Sequence, residues 1–174
     1  METKLIVCGG NGAGKSTLGR VLADRLGCRF ADIEDYYFPE PDADYPYEAV
    51  RTRDEVRALL LADLNQRGSL VLASVKGDFG PEAESLLTAA VFVRVPKELR
   101  MKRVKDRSFS KFGARMLPGG DLYERECQFF DLVSQRPELD GADWLETASL
   151  PALEVDGTRP ADDNAEVILR WLRG

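Results

Sequence analysis

Apolar residues along this chain fall into five short runs, separated by stretches with a helical period. Lys4–Cys8 is the first run and ends in glycines, as a buried strand would. Residues 15–26 then set Leu18, Val21, Leu22 and Leu26 on one helical face, and Cys28–Ile33 predicts a second strand. Residues 34–50 show no period and contain Pro39, Pro41 and Pro46 among five aromatics, so a structured excursion or short helices are expected. Asp54–Gln66 predicts an amphipathic helix through Val56, Leu59, Leu60 and Leu64, with Gly68 as its stop. Ser69–Val75 predicts the third strand, Pro81–Thr88 a helix, and Ala90–Val95 the fourth strand, closed by Pro96. Lys97–Arg107 predicts the next helix, residues 108–120 a loop with glycines and cations, and Leu122–Ser134 a further helix. Pro151–Val155 is the fifth strand, and the last helix is expected to carry Val167, Ile168, Trp171 and Leu172 on one face.

Strands that alternate with helices imply right-handed crossovers and a parallel sheet covered on both sides. The expectation is therefore one α/β domain over residues 1–174: three layers, with a five-stranded parallel sheet in the middle. Its length suits a single domain with a real core. No internal repeat or linker interrupts it.

The chemistry concentrates after the first strand. Gly9-Gly10-Asn11-Gly12-Ala13-Gly14-Lys15-Ser16-Thr17 fits G-x-x-x-x-G-K-[ST] in full. Glycines let the backbone turn tightly enough for several N–H groups to face a phosphate, and the helix that follows adds the positive end of its dipole. Lys15 is placed to reach the β/γ-phosphates of ATP, and the Ser16 hydroxyl to ligate Mg²⁺. A strand before the loop and a helix after it supply the context that the motif requires. This predicts a P-loop NTPase fold.

Charge is placed unevenly around that loop. Residues 31–50 hold seven acidic side chains and no basic one; residues 94–115 hold nine Lys/Arg against Glu98 and Asp106. The overall balance of −6 argues against nonspecific nucleic-acid binding. No histidine is present, so a general base has to be a carboxylate or something rarer. Cys8, Cys28 and Cys127 share no metal-ligand spacing and are expected to be reduced and structural. With no membrane-length apolar run and no signal-like lead-in, a cytoplasmic protein with no membrane role is expected, as monomer or homodimer.

Two common P-loop classes fit poorly. Leu117-Pro118-Gly119-Gly120-Asp121 only superficially echoes a transporter ATPase signature, and no Asn/Thr-Lys-x-Asp for guanine occurs. The layout instead resembles the group of small kinases that includes the adenylate, shikimate and uridine kinases. That resemblance covers nearly the whole chain in layout, while only the loop is highly specific. It implies a strand-2 acidic cluster that meets the acceptor and an arginine-bearing lid that follows strand 4. Phe30-x-Asp32-x-Glu34 is similar to the shikimate kinase Asp-x-Asp pattern, which implies Asp32 near Mg²⁺ and Glu34 on the acceptor. Asp35-Tyr36-Tyr37 is similar to the uridine kinase pattern, in which the aspartate takes the hydroxyl proton. Alternation along a strand keeps all three carboxylates from one side, and the preferred assignment is Asp35 as base and Asp32 for the metal.

Arg100, Arg103 and Arg107 recur at i, i+3, i+7, one helical face, followed by Lys111 and Arg115 in the expected lid at about 108–120. Arginine suits the charge that phosphoryl transfer spreads over three oxygens, which makes Arg103, Arg107 and Arg115 the catalytic candidates. Gly113, Gly119 and Gly120 would supply hinges for closure. The acceptor region is expected at about 34–53, with Glu34, Tyr37 and Arg53 as contacts and aromatic surfaces for a flat ring. Asp78 lies near the place of a second metal carboxylate, although Ser74 and Lys76 break the apolar run before it. The adenylate kinase Asp-Gly-Phe-Pro-Arg motif is absent. ATP-dependent phosphorylation of a nucleoside, nucleotide or other hydroxyl compound is the leading expectation. A nucleotide-dependent regulatory ATPase without a small-molecule acceptor is the alternative.

Overall fold

A computed structural model describes residues 2–174. Five parallel strands form one sheet in the order β2-β3-β1-β4-β5: β1 is Lys4–Cys8, β2 Arg29–Asp32, β3 Leu70–Ala73, β4 Ala89–Arg94 and β5 Ala152–Asp156. Successive side chains of β1 go to opposite faces, and both faces are covered. Leu5 and Val7 pack with Leu18, Leu22 and Ile168 on one side, while Ile6 and Cys8 pack with Val56, Leu60 and Trp144 on the other. Both clusters are fully apolar at their centres, and each such side chain contributes roughly 1.5–3 kcal/mol by leaving water.

Helices α1 (Lys15–Leu26) and α8 (Ala161–Leu172) cover the first face. α1 stops where Gly27 adopts a left-handed conformation, φ 62°, and its N–H returns to Ala23 and Asp24 carbonyls. The other face takes α3 (Arg53–Leu64), opened by a Thr52/Glu55 capping box, and the short helices α4 (Pro81–Leu86) and α7 (Ala142–Thr147). Helix α2 (Ile33–Tyr37) continues directly from β2, and residues 38–52 form turns and bends without a regular element. The crossover after β4 is α5 (Lys97–Phe112), a 3-10 turn over Gly113–Met116, and α6 (Tyr123–Ser134).

Two expectations need correction, and one helix is additional. The helix expected to stop at Arg107 runs on to Phe112, so the first five residues of the proposed lid are helical. Its inward positions are Arg100, Val104, Ser108 and Phe112, spaced four apart. Two of those four are polar, which hides the helical period in the sequence. Phe112 is held by Tyr45, with ring centroids 5.4 Å apart. The final helix buries Asn164, Ala165, Ile168 and Leu169, with Trp171 and Leu172 packed against the same cluster, and of the expected face leaves Val167 exposed. Its face is rotated by the Asn164 amide, which donates to the Asp156 carbonyl at 2.8 Å. Helix α7 was not anticipated: at six residues it is too short to show a period, and Trp144 anchors it against Gly77. The three cysteines are free, and the Cys8 thiol lies buried at the end of β1, where desolvation pushes it up to about 12.

Candidate functional site

The phosphate-binding loop leaves the carboxyl end of β1 and enters α1, on the crest where open α/β sheets hold ligands. Gly9 donates its N–H to the Val75 carbonyl at 3.1 Å and sits at φ 139°; a Cβ there would lie 2.7 Å from the Val93 carbonyl oxygen. Gly14 caps α1 at φ 91°, leaving the first-turn N–H groups free to face a phosphate. The Lys15 ammonium folds back and donates to the Gly10 carbonyl at 3.1 Å. Desolvation pulls this lysine down to about 8, against the opposing attraction of Asp32 and Glu34. A half-desolvated cation without a bonded carboxylate is poised for an anionic ligand.

Asp32 terminates β2 and is only 9% exposed. One carboxylate oxygen accepts from the Ser16 hydroxyl, and the other accepts from the Glu34 N–H at 3.1 Å, capping α2. The register sets this meeting, because β2 is separated from β1 by β3, where Asp32 pairs with Ala73 and Ala73 with Val7. Among the described residues no group of three or more acidic, Cys or His side chains is assembled for a metal. A hydroxyl and one carboxylate fit Mg²⁺ that brings its own waters and phosphate oxygens, not a metal caged by protein alone.

Helix α2 separates its two acidic residues. Glu34 is directed toward the loop: its carboxylate lies 4.0 Å from the Arg107 guanidinium, and both groups act on Lys15. Asp35 is exposed and has Asp32 and Arg20 as its charged neighbours; burial and Asp32 raise its carboxyl, and Arg20 opposes them. Tyr37 is half-buried, and its carbonyl accepts from the Arg51 N–H at 2.8 Å. Arg53 opens α3 and pairs with Asp78 at 3.3 Å, and Lys76 pairs with the same carboxylate at 3.2 Å. Asp78 is thus engaged by two cations, while the buried Ser74 hydroxyl, just past β3, donates to the Lys76 carbonyl at 2.7 Å.

Four arginines of the fourth crossover take four different places. Arg103 donates to the Gly157 carbonyl at 3.2 Å and the Gly12 carbonyl at 3.4 Å, tying the phosphate loop to the β5–α8 connection. Arg107 is exposed and pairs with Glu34 at the limit of an ion pair. Arg115 is bound at 2.6–2.7 Å by Asp121 and Asp44, which latch the 3-10 turn to the acceptor-side excursion. Arg100, grouped in sequence with the lid arginines, is instead 2% exposed beneath the loop. A cleft of about 270 Å³ opens between Ala13, Gly14, Thr17, Arg103, Gly157 and Arg159. Sequence reasoning missed Arg136, whose guanidinium donates to the Asn11 side chain at 2.7 Å across 125 residues of chain. No local pattern announces such a contact.

Three aromatics of the excursion pack on one another. Phe38 and Tyr45 each meet Tyr47 edge-on, with centroids 4.9 Å and 5.5 Å away, and the Tyr36 hydroxyl donates to Asp63. No helix among the described residues is long and apolar enough to cross a membrane.

Comparison with known proteins agrees with this arrangement. A family described as an AAA domain matches residues 5–131. The chain is 26% identical to the uncharacterized protein YqaC of Bacillus subtilis, covering 99% of this chain and 98% of that protein. It is 30% identical to the shikimate kinase of Burkholderia thailandensis, covering 90% and 92%. Its fold superposes on the shikimate kinase of Acinetobacter baumannii solved in complex with shikimate, with a TM-score of 0.58, 17% identity, and 99% and 93% of the two chains covered. With its loop, sheet order and relatives in agreement, this chain belongs to the P-loop small-molecule kinases of the shikimate and adenylate kinase-like group.

Proposed function

We propose that this kinase transfers the γ-phosphoryl group of ATP to a hydroxyl of a compact hydroxy acid or polyol held between α2, the start of α3 and the 74–80 connection. The observation that carries this reading is the convergence of Lys15, Glu34 and Arg107 in front of the loop. Lys15 would neutralise the β/γ-phosphates, and Arg107 would leave Glu34 to meet the charge spread over the transferring group. Glu34 would then accept or orient the acceptor hydroxyl proton, a role that its position supports better than that of Asp35. Ser16 and Asp32 would hold Mg²⁺, which supplies charge neutralisation of the phosphates when bound. Arg103 and the cleft it lines with Gly157 and Arg159 suit the nucleoside end of ATP.

The acceptor class follows from the opposite wall. Arg53 and Lys76 converge on Asp78 and would offer cations to a carboxylate of the acceptor. Phe38, Tyr45 and Tyr47 pack against one another and Phe112, which supports a compact acceptor over the nucleosides admitted by sequence alone. The Burkholderia relative is named for shikimate, a molecule of this class, so shikimate is the first acceptor to try. The experiment is ATP consumption with Mg²⁺ across pools of hydroxy acids, polyols, nucleosides and nucleotides. Stimulation confined to hydroxy acids or polyols supports the reading; stimulation by nucleosides alone refutes the acceptor class.

A further inference from the structure

Arg100, in the first turn of α5, is only 2% exposed, and it has no carboxylate partner among the described residues. Its guanidinium is solvated by backbone carbonyls: Nε donates to Val95 at 3.2 Å, and the terminal nitrogens donate to Glu138 at 2.8 Å, Asn11 at 3.4 Å and Pro137 at 3.5 Å. One side chain therefore joins the end of β4, the phosphate loop and the 137–138 segment. A buried charge without a counter-ion is expensive unless its donors are satisfied, and here carbonyl dipoles satisfy them.

The loop sequence carries an independent trace of this contact. Gly10 and Gly12 stand at positions where the G-x-x-x-x-G-K-[ST] pattern requires no particular residue. A Cβ on Gly10 would lie 2.1 Å from the Arg100 Nη1, and one on Gly12 would lie 2.3 Å from the Arg100 carbonyl oxygen. Gly12 also has φ 80°, which favours glycine by itself. Gly10 is not among the positive-φ glycines, so its backbone would accept a side chain. The steric demand on Gly10 comes from the guanidinium.

We infer that Arg100 is a positioning residue of the phosphate loop, its guanidinium keyed into the loop at Gly10 while the α5 backbone crowds Gly12. By holding the Asn11 carbonyl, it turns the N–H on the far side of the same trans peptide, that of Gly12, away from itself. It also sets a fixed positive charge immediately behind a loop built to take a polyanion. Arg100 touches neither nucleotide nor acceptor in this scheme; it acts through the loop.

A double-mutant cycle tests this, with ATP and ADP affinity measured by calorimetry in Mg²⁺ and the melting temperature of the free protein measured alongside. Gly10→Ala alone should weaken ATP at least about tenfold, because its methyl group displaces the guanidinium. Arg100→Met should weaken ATP to a similar degree or more. In the Arg100→Met background, Gly10→Ala should cost almost nothing further, since the obstruction is gone. If Arg100→Met does not fold, the cycle is read in Arg100→Lys, whose flexible stem can yield to the methyl group. Rescue of affinity by lysine relative to methionine would report the charge separately from the fork. Equal effects of Gly10→Ala in both backgrounds would overturn the inference. So would an Arg100→Met protein that melts lower yet binds ATP normally, because that outcome belongs to an ordinary core residue.

Discussion

Replacing Lys15 by methionine should stabilise the nucleotide-free protein while abolishing its use of ATP. The ammonium is drawn down from its ordinary 10.5 to about 8, mainly because the folded chain strips it of water. At 1.36 kcal/mol for each pH unit, carrying that charge costs the folded state at most about 3 kcal/mol near neutrality. Methionine, of similar length and uncharged, avoids this cost but forgoes the bond to the Gly10 carbonyl, a loss of about 1 kcal/mol. The net gain is about 2 kcal/mol, which for a domain of this size raises the melting temperature by about 4–8 °C. The assay is thermal unfolding with EDTA and no nucleotide, from about pH 7 to about pH 10. The native lysine loses its proton before the unfolded one, so between about 8 and 10.5 the unfolded state binds more protons. Wild-type stability therefore rises through that window relative to the variant. The gap between the two should be widest below pH 8 and should close as pH rises. Adding ATP and Mg²⁺ should raise the melting point of the wild type only. A variant that melts no higher than the wild type, or a gap that stays flat with pH, would refute the reasoning.

Three further outcomes are expected. Glu34→Gln should lower the acceptor-dependent rate about 10²–10⁴-fold with little change in ATP affinity; a full rate would move the base back to Asp35. Arg107→Met should lower the transfer rate about 10²–10³-fold and affect ATP binding far less, whereas an effect confined to affinity would remove it from the chemistry. Asp32→Asn keeps a side chain able to cap α2, so its melting temperature should stay near that of the wild type, while the Mg²⁺ concentration for half-maximal rate should rise several-fold. An unchanged Mg²⁺ dependence would place the metal elsewhere.

Local pattern determined much of this protein. The strand–loop–helix at residues 4–26 is legible because a buried run, the loop glycines and an amphipathic helix each leave their own period or residue type. The five strands and their parallel arrangement follow from the alternation of elements, since crossovers between parallel strands need intervening helices. The relevant residues of the acidic and basic blocks were visible as well. What the chain could not state in one dimension was which of them meet. Register places Asp32 against Ser16; one short helix sends Glu34 toward Lys15 and leaves Asp35 beside Arg20. A helix carried to Phe112 on alternately polar and apolar inward positions separates four similar arginines. Arg100 goes into the interior, Arg103 to backbone carbonyls, Arg107 to the site, and Arg115 to a surface latch. Charge and size are the same for all four. Only the three-dimensional packing decides whether an arginine faces carbonyls, carboxylates or an incoming phosphate, because its energy depends on the dipoles and solvent around it, not on its own identity.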